Sequence, residues 1–223
     1  MRHISRSVCV KADNVRRDED NTGEEESMKT IKLTEDTRKD ILDRLLKRSP
    51  DNYSEYEKTV ADIITDVRTN GDRAVFSYTK KFDQWESHAD NIRVTQAEIE
   101  EAVRSIDRPF LAVMKKSAAN IEAFHQKQLR NSWIDTKPDG SILGQRILPL
   151  SVSGVYVPGG KAAYPSSVLM NVIPAKVAGV KKIIMTTPAG ADGKVNPGTL
   201  AAASIAGVDE IYKVGGAQAI AAM

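Results

Sequence analysis

The sequence predicts an α/β protein, in which a helical N-terminal stretch leads into a parallel sheet wound with helices. Three observations carry this. From Thr34 to Arg130, apolar residues recur at helical spacing. After Pro149, short β-branched strands alternate with helices, the pattern of a parallel, doubly wound sheet. Two glycine pairs, Gly159-Gly160 and Gly215-Gly216, each fall between a strand and the next helix.

The elements follow in order. Thr34 is placed as an N-cap, and Ile41, Leu42, Leu45 and Leu46 form one stripe that ends before Pro50. Val60, Ile63, Ile64 and Val67 repeat at i, i+3, i+4, i+7, with Gly71 suited to the C-terminal cap. Val75, Tyr78 and Phe82 continue on a third short helix. Thr95-Gln96-Ala97-Glu98 is a capping box before Ile99, Val103 and Ile106. Pro109 opens a long helix carrying Leu111, Met114, Ala118, Ile121 and Phe124.

At Trp133 the texture changes. Residues 133–136 and 141–144 flank Pro138-Asp139-Gly140 and predict a β-hairpin, with glycine at the positive-φ position of the turn. Strands are then expected at Val152 to Val157, Lys181 to Thr187 and Glu210 to Val214. Helices are expected at Ser166 to Ala178, capped by Gly179, and from Asn196-Pro197 to Ala206, ended by Gly207. Ala217 starts one more.

The chain has 223 residues, enough for one large domain or two small ones. Its 32 basic and 30 acidic residues leave a net charge of +2, which makes no case for a nucleic-acid or anionic-membrane partner. Aromatics are 5%, too few for base-stacking platforms. The single cysteine, Cys9, lies in a polar stretch and allows no intrachain disulfide, which fits a reducing compartment. No apolar run reaches the roughly 18 residues of a membrane span, and Met1 to Val10 lacks the apolar core of a signal peptide. A cytoplasmic protein is expected.

Both glycine pairs sit where open α/β sheets bind ligands, at the carboxyl ends of strands. Glycine allows close backbone approach, and a helix start offers free N–H groups. Neither loop has the G-x-G-x-x-G form, so spacing alone leaves a nucleotide site and a pair of plain strand-to-helix turns both open. Ser166-Ser167 after Pro165 is taken as an N-cap rather than a nucleophile, since no G-x-S-x-G elbow accompanies it.

Longer motifs are more specific. Gly154-Val155-Tyr156-Val157-Pro158-Gly159-Gly160 is followed by Tyr164-Pro165-Ser166-Ser167-Val168-Leu169-Met170, by Ile173 to Val180, and by Val214-Gly215-Gly216-Ala217-Gln218-Ala219-Ile220-Ala221-Ala222. This succession resembles the histidinol dehydrogenase family. Gly71 to Val75 and Tyr78 to Asp83 are similar to the family's N-terminal helical region, so the resemblance spans Met28 to Met223. It implies an aldehyde-dehydrogenase-like fold and an NAD- and zinc-dependent oxidation of L-histidinol to L-histidine through histidinal, the last step of histidine biosynthesis. It also implies that Tyr156 and Gln218 contact NAD. On the residues alone, Tyr156 could equally be a core tyrosine and Gln218 a helix-capping glutamine.

The family's zinc ligands (glutamine, histidine, aspartate and a partner-subunit histidine) and its Glu-His acid–base pair match no position here. They are expected beyond Met223. The resemblance further implies a homodimer. His3, His88 and His125 lack partners at metal-ligand spacing and are not taken as ligands. The expected organisation has three parts. Residues 1–27 form a disordered tail or an extension upstream of a start at Met28. Residues 28–149 form a helical, incomplete first domain with the hairpin. Residues 150–223 form a Rossmann-like NAD-binding domain, truncated inside its last helix. Two rivals remain. One is a non-catalytic NAD-binding or incompletely folded fragment. The other is an aldehyde-dehydrogenase-type enzyme, which needs a catalytic cysteine that Cys9 supplies poorly.

Overall fold

The computed structural model describes residues 34, 35, 37–39, 54–159 and 163–223. The expectations for residues 1–27, including His3 and Cys9, and for the stripe Ile41 to Leu46 lie outside the described residues. Two compact units are present, Met1–Asp51 and Asn52–Met223. In the first, the N–H of Thr37 donates to Thr34 Oγ1 at 3.2 Å and Arg38 N–H to the Thr34 carbonyl at 2.9 Å, the expected N-cap.

The second unit runs α1 (Ser54–Asn70), α2 (Asp72–Asp83), α3 (Gln96–Ser105), α4 (Arg108–Gln126), β1 (Trp133–Thr136), β2 (Ile142–Gln145), β3 (Val152–Tyr156), α5 (Pro165–Val177), β4 (Lys182–Thr187), α6 (Pro197–Ala206), β5 (Glu210–Lys213) and α7 (Gly216–Ala222). Strands β3, β4 and β5 form one parallel sheet in that order.

Strand alternation divides the core in two. Val155, Met185 and Ile211 stand in register across the sheet and are buried on one face. That face is covered by Leu169 and Val172 of α5 and by Leu200 and Ala201 to Ala203 of α6. Ala102 of α3 and Met114 of α4 pack outside them. The next residues, Tyr156, Thr186 and Tyr212, form the neighbouring row and point to the other face. There Ile63 and Val67 of α1, Ala74 and Val75 of α2 and Ala219 of α7 make the second cluster. The alanines of α6 have a reason in this arrangement: Ala201, Ala202 and Ala203 are fully buried where the helix is packed among α3, α4 and α5, and small side chains allow that close approach.

Local signals explain the element ends. Thr95 and Glu98 make the reciprocal capping box, Thr95 N–H to Glu98 Oε2 at 2.7 Å and Glu98 N–H to Thr95 Oγ1 at 3.3 Å. Asn196 Oδ1 accepts the N–H of Gly198 at 2.9 Å and caps α6. Gly207 ends α6 in the left-handed region, φ 78°, where a side chain would be strained.

Two expectations are corrected. Ser166 and Ser167 do not cap α5. Tyr164 holds that position without a side-chain hydrogen bond, because Pro165 already supplies a helical φ at the first turn and moves the start one residue earlier. The stripe of α4 is only partly covered. Met114 is buried and Leu111, Ala118 and Ile121 pack partly on the core, but Phe124 is 60% exposed and makes no part of it.

The hairpin forms as expected, β1 pairing antiparallel with β2 through a turn whose Gly140 has φ 84°. Every residue of both strands is exposed, Ile134 and Ile142 included. Among the described residues no helix is long and apolar enough to cross a membrane.

Candidate functional site

The three parallel strands end together at Tyr156, Thr187 and Lys213, and the turns that leave them pack on one another. Pro188, just past β4, sits between the two glycine loops. A Cβ on Gly159 would lie 2.8 Å from Pro188 Cγ, and one on Gly215 would lie 2.7 Å from Pro188 Cβ. Neither position has room for a side chain. The need for glycine at 159 and 215 therefore comes from this close packing rather than from an unusual backbone angle. Gly216 is different: its φ is 63°, and a Cβ there would meet Gln218 Oε1 at 2.7 Å. Gly160 and Lys161 of the first loop lie outside the described residues.

Tyr156 and Gln218, the two residues singled out by resemblance, meet at the Gly215-Gly216 turn. Tyr156 is half-buried against the second cluster, and its hydroxyl accepts the N–H of Gly216 at 3.3 Å. It is therefore more than a core tyrosine, since its polar end holds the start of α7. Gln218 is completely buried, yet neither its Oε1 nor its Nε2 has a hydrogen-bond partner. It caps no helix end, which removes that alternative. A buried primary amide with no partner carries a desolvation cost of about 1–3 kcal/mol for each unmet group. Native interiors rarely keep such a group without a use.

A third residue of this cluster escaped the reading of the sequence. Asp83, the last residue of α2, brings Oδ2 to 3.5 Å from the Cβ position of Gly215, and that oxygen is buried and unpartnered. Burial pushes its carboxyl above the usual aspartate range, and the backbone N–H of Gly215 offsets this only in part. No sequence signal pointed to it, because a charged residue at a helix end is ordinarily solvated.

The residues suit a nucleotide and do not suit a metal. Gln218 offers an unused donor and an unused acceptor, the pair that a ribose or a carboxamide can satisfy. Among the described residues no three histidine, cysteine, aspartate or glutamate side chains come together as a metal site. His125 instead pairs through Nδ1 with Gln128 Oε1 at 2.6 Å. Two cavities of about 450 Å³ are present, one between α3 and α6 and one over the second face beside Met223, whose lining includes Val214 and Ala219 on either side of the turn. Tyr156 and Gln218 line neither, and the polar atoms of Gln218 are shut off from solvent in this conformation.

Comparison with known proteins agrees with the motifs. The sequence profile of the family described as histidinol dehydrogenase matches residues 46–223. Histidinol dehydrogenase of Heliobacterium mobile is 55% identical over 164 residues, covering 74% of this chain and 38% of its own length. That of Bacillus subtilis (strain 168) is 54% identical over 179 residues, covering 80% and 42%. The crystal structure of histidinol dehydrogenase from Elizabethkingia anophelis superposes with a TM-score of 0.70 at 37% identity, covering 75% of this chain and 38% of that one. The chain thus spans about two fifths of the length of the relatives it matches. With a profile match over most of its residues, and with relatives above 50% identity, the chain belongs to the histidinol dehydrogenase family.

Proposed function

We propose that this chain is the NAD-binding part of a cytoplasmic histidinol dehydrogenase, built on a Rossmann-like sheet of the aldehyde-dehydrogenase type. The observation that carries the reading is Gln218, sealed in the interior with both polar atoms unmet, on the same glycine turn that the Tyr156 hydroxyl holds.

In this reading Tyr156 holds the start of α7 through the Gly216 N–H until ligand arrives. Gln218 then exchanges an unmet amide for hydrogen bonds to the nucleotide, which favours binding by relieving a cost already present. Pro188 packs between the two glycine turns. When bound, NAD would supply the hydride acceptor, one molecule for each of the two oxidations that take L-histidinol to histidinal and, after water adds to the aldehyde, to L-histidine. The zinc ligands and the Glu-His pair of the family have no counterpart among residues 1–223, and no step through zinc is assigned to this chain. They would be supplied by the part of the family's length that the chain does not span, in a homodimer whose partner contributes one ligand. The 223 residues alone should bind NAD and should not oxidise L-histidinol.

Isothermal titration of the chain with NAD tests this. Binding that is lost in Gln218→Met, with the fold retained, supports the reading. A well-folded wild-type chain with no NAD binding overturns it, and zinc-dependent NADH formation from L-histidinol overturns the assignment of the chemistry to other residues.

A further inference from the structure

Asp83 has features that neither the fold nor the family resemblance explains. It closes α2, whose body packs against α7 in the second cluster, so its carboxyl faces the start of α7. Its Oδ2 is buried beside Gly215 with no hydrogen-bond partner, and no charged side chain contributes to its environment. The side chain as a whole is half-buried, and the Gly215 N–H offsets only part of the cost of sealing that oxygen from water. Two residues past Gly216, Gln218 is wholly buried with both polar atoms unpartnered.

The two unmet groups therefore lie on the two sides of one glycine turn. Gly215 has Asp83 Oδ2 near its Cβ position, and Gly216 has Gln218 Oε1 near its own. Their hydrogen-bonding capacities differ. A carboxylate only accepts, whereas the amide both donates and accepts. A ligand that satisfies both must bring at least one donor to Asp83. A phosphate brings none and is repelled by the charge. A ribose hydroxyl brings a donor on a group that also accepts, so its neighbouring hydroxyl can pair with the amide.

We propose that Asp83 is a third ligand-contact residue of the nucleotide site, taking a ribose hydroxyl on Oδ2 while Gln218 takes an adjacent group. Both atoms are sealed from solvent in this conformation, so the nucleotide reaches them by displacing the Gly215-Gly216 turn. The inference rests on the NAD reading above.

The test separates the two. The 223-residue chain and its Asp83→Asn variant are titrated with NAD, and both are melted. A purely structural carboxylate and a ligand-contact carboxylate give different pairs of results. Removing the buried charge relieves the fold in either case, so the melting temperature rises. If Asp83 accepts a hydroxyl from the nucleotide, NAD affinity falls by roughly 10- to 100-fold at the same time, the loss of one charge-assisted hydrogen bond. Stability and affinity then move in opposite directions. An Asp83→Asn chain that melts higher and binds NAD as wild type does overturns the inference while leaving the NAD reading intact. A variant that fails to fold assigns the carboxylate to structure alone and overturns it also. A wild-type chain without NAD binding removes the reading itself, and this inference with it.

Discussion

Lys213 at the end of β5 and Glu98 at the start of α3, 115 residues apart in sequence, form an ion pair with Nζ 2.5 Å from Oε1. The lysine is nearly buried, its ammonium 5.6 Å from the centre of the Trp85 ring. The same glutamate closes the capping box on Thr95. One side chain thus starts α3 and fastens it to the sheet. Burial pushes the Glu98 carboxyl upward, but Lys213 and the Thr95 hydrogen bonds outweigh this and leave it below its ordinary value.

Removing Glu98 should therefore cost more than removing its partner. Glu98→Ala leaves an ammonium buried without a counter-charge and breaks the box, for a loss of about 3 kcal/mol or more. Lys213→Met keeps the stem's packing and leaves a glutamate that water can reach, so it should cost about half as much. Urea unfolding of the two variants decides it, and equal losses would contradict the account.

Gly159 and Gly215 press on Pro188 from two loops. Alanine at either should destabilise by about 1–3 kcal/mol through overpacking. The two changes act on one proline and should not be additive. Pro188→Ala in either background should recover part of the loss, and a double-mutant cycle with no coupling would rule out the shared contact.

Stability should fall on acidification. Asp209 Oδ2 accepts the N–H of Ile183 at 2.7 Å and lies 3.0 Å from Lys176 Nζ. The Ile183 N–H, and then the lysine, hold its carboxyl below the ordinary 3.8. A carboxyl depressed in the folded state stabilises fully above its unfolded value, and the contribution disappears as pH falls through the folded one. Glu98 behaves in the same way from its ordinary 4.5. Asp83 has the opposite sign, because its raised pKa is a penalty at neutral pH that protonation relieves. Melting temperature should drop below about pH 4.5 in wild type and less steeply in Asp209→Asn. An unchanged acid limb in that variant would remove Asp209 from the explanation.

The hairpin exposes Ile134 and Ile142 on one face and Trp133 and Leu143 on the other, and exposed apolar surface of this kind favours association. Ile134→Lys should leave stability within about 0.5 kcal/mol, as exposed substitutions usually do. It should also lower self-association measured by sedimentation. A variant that associates as strongly as wild type would place the sticky surface elsewhere.

Much of the fold was legible because its signals are local. Thr95 and Glu98 are three residues apart, and Asn196-Pro197 and Gly207 bracket a helix whose ends need nothing distant. Tyr156 and Gln218 were legible only through whole motifs, since a tyrosine at a strand end and a glutamine in a helix are ordinary residues alone. Asp83 stood in a family-like segment but, like Pro188, was not legible as part of the site. Their roles depend on contacts with Gly215 that span 132 and 27 positions of the chain, and no local pattern encodes such a meeting.

The sequence by itself determined the order of helices and strands, the glycine turns and the family, because periodicity, caps and turn residues act over a few positions. Only the tertiary structure decided which strand face each helix covers and that Glu98 pairs with Lys213. It also decided that Asp83 and Gln218 lie unsatisfied about one turn. Those are outcomes of burial, and burial is set by what the folded chain brings from far away.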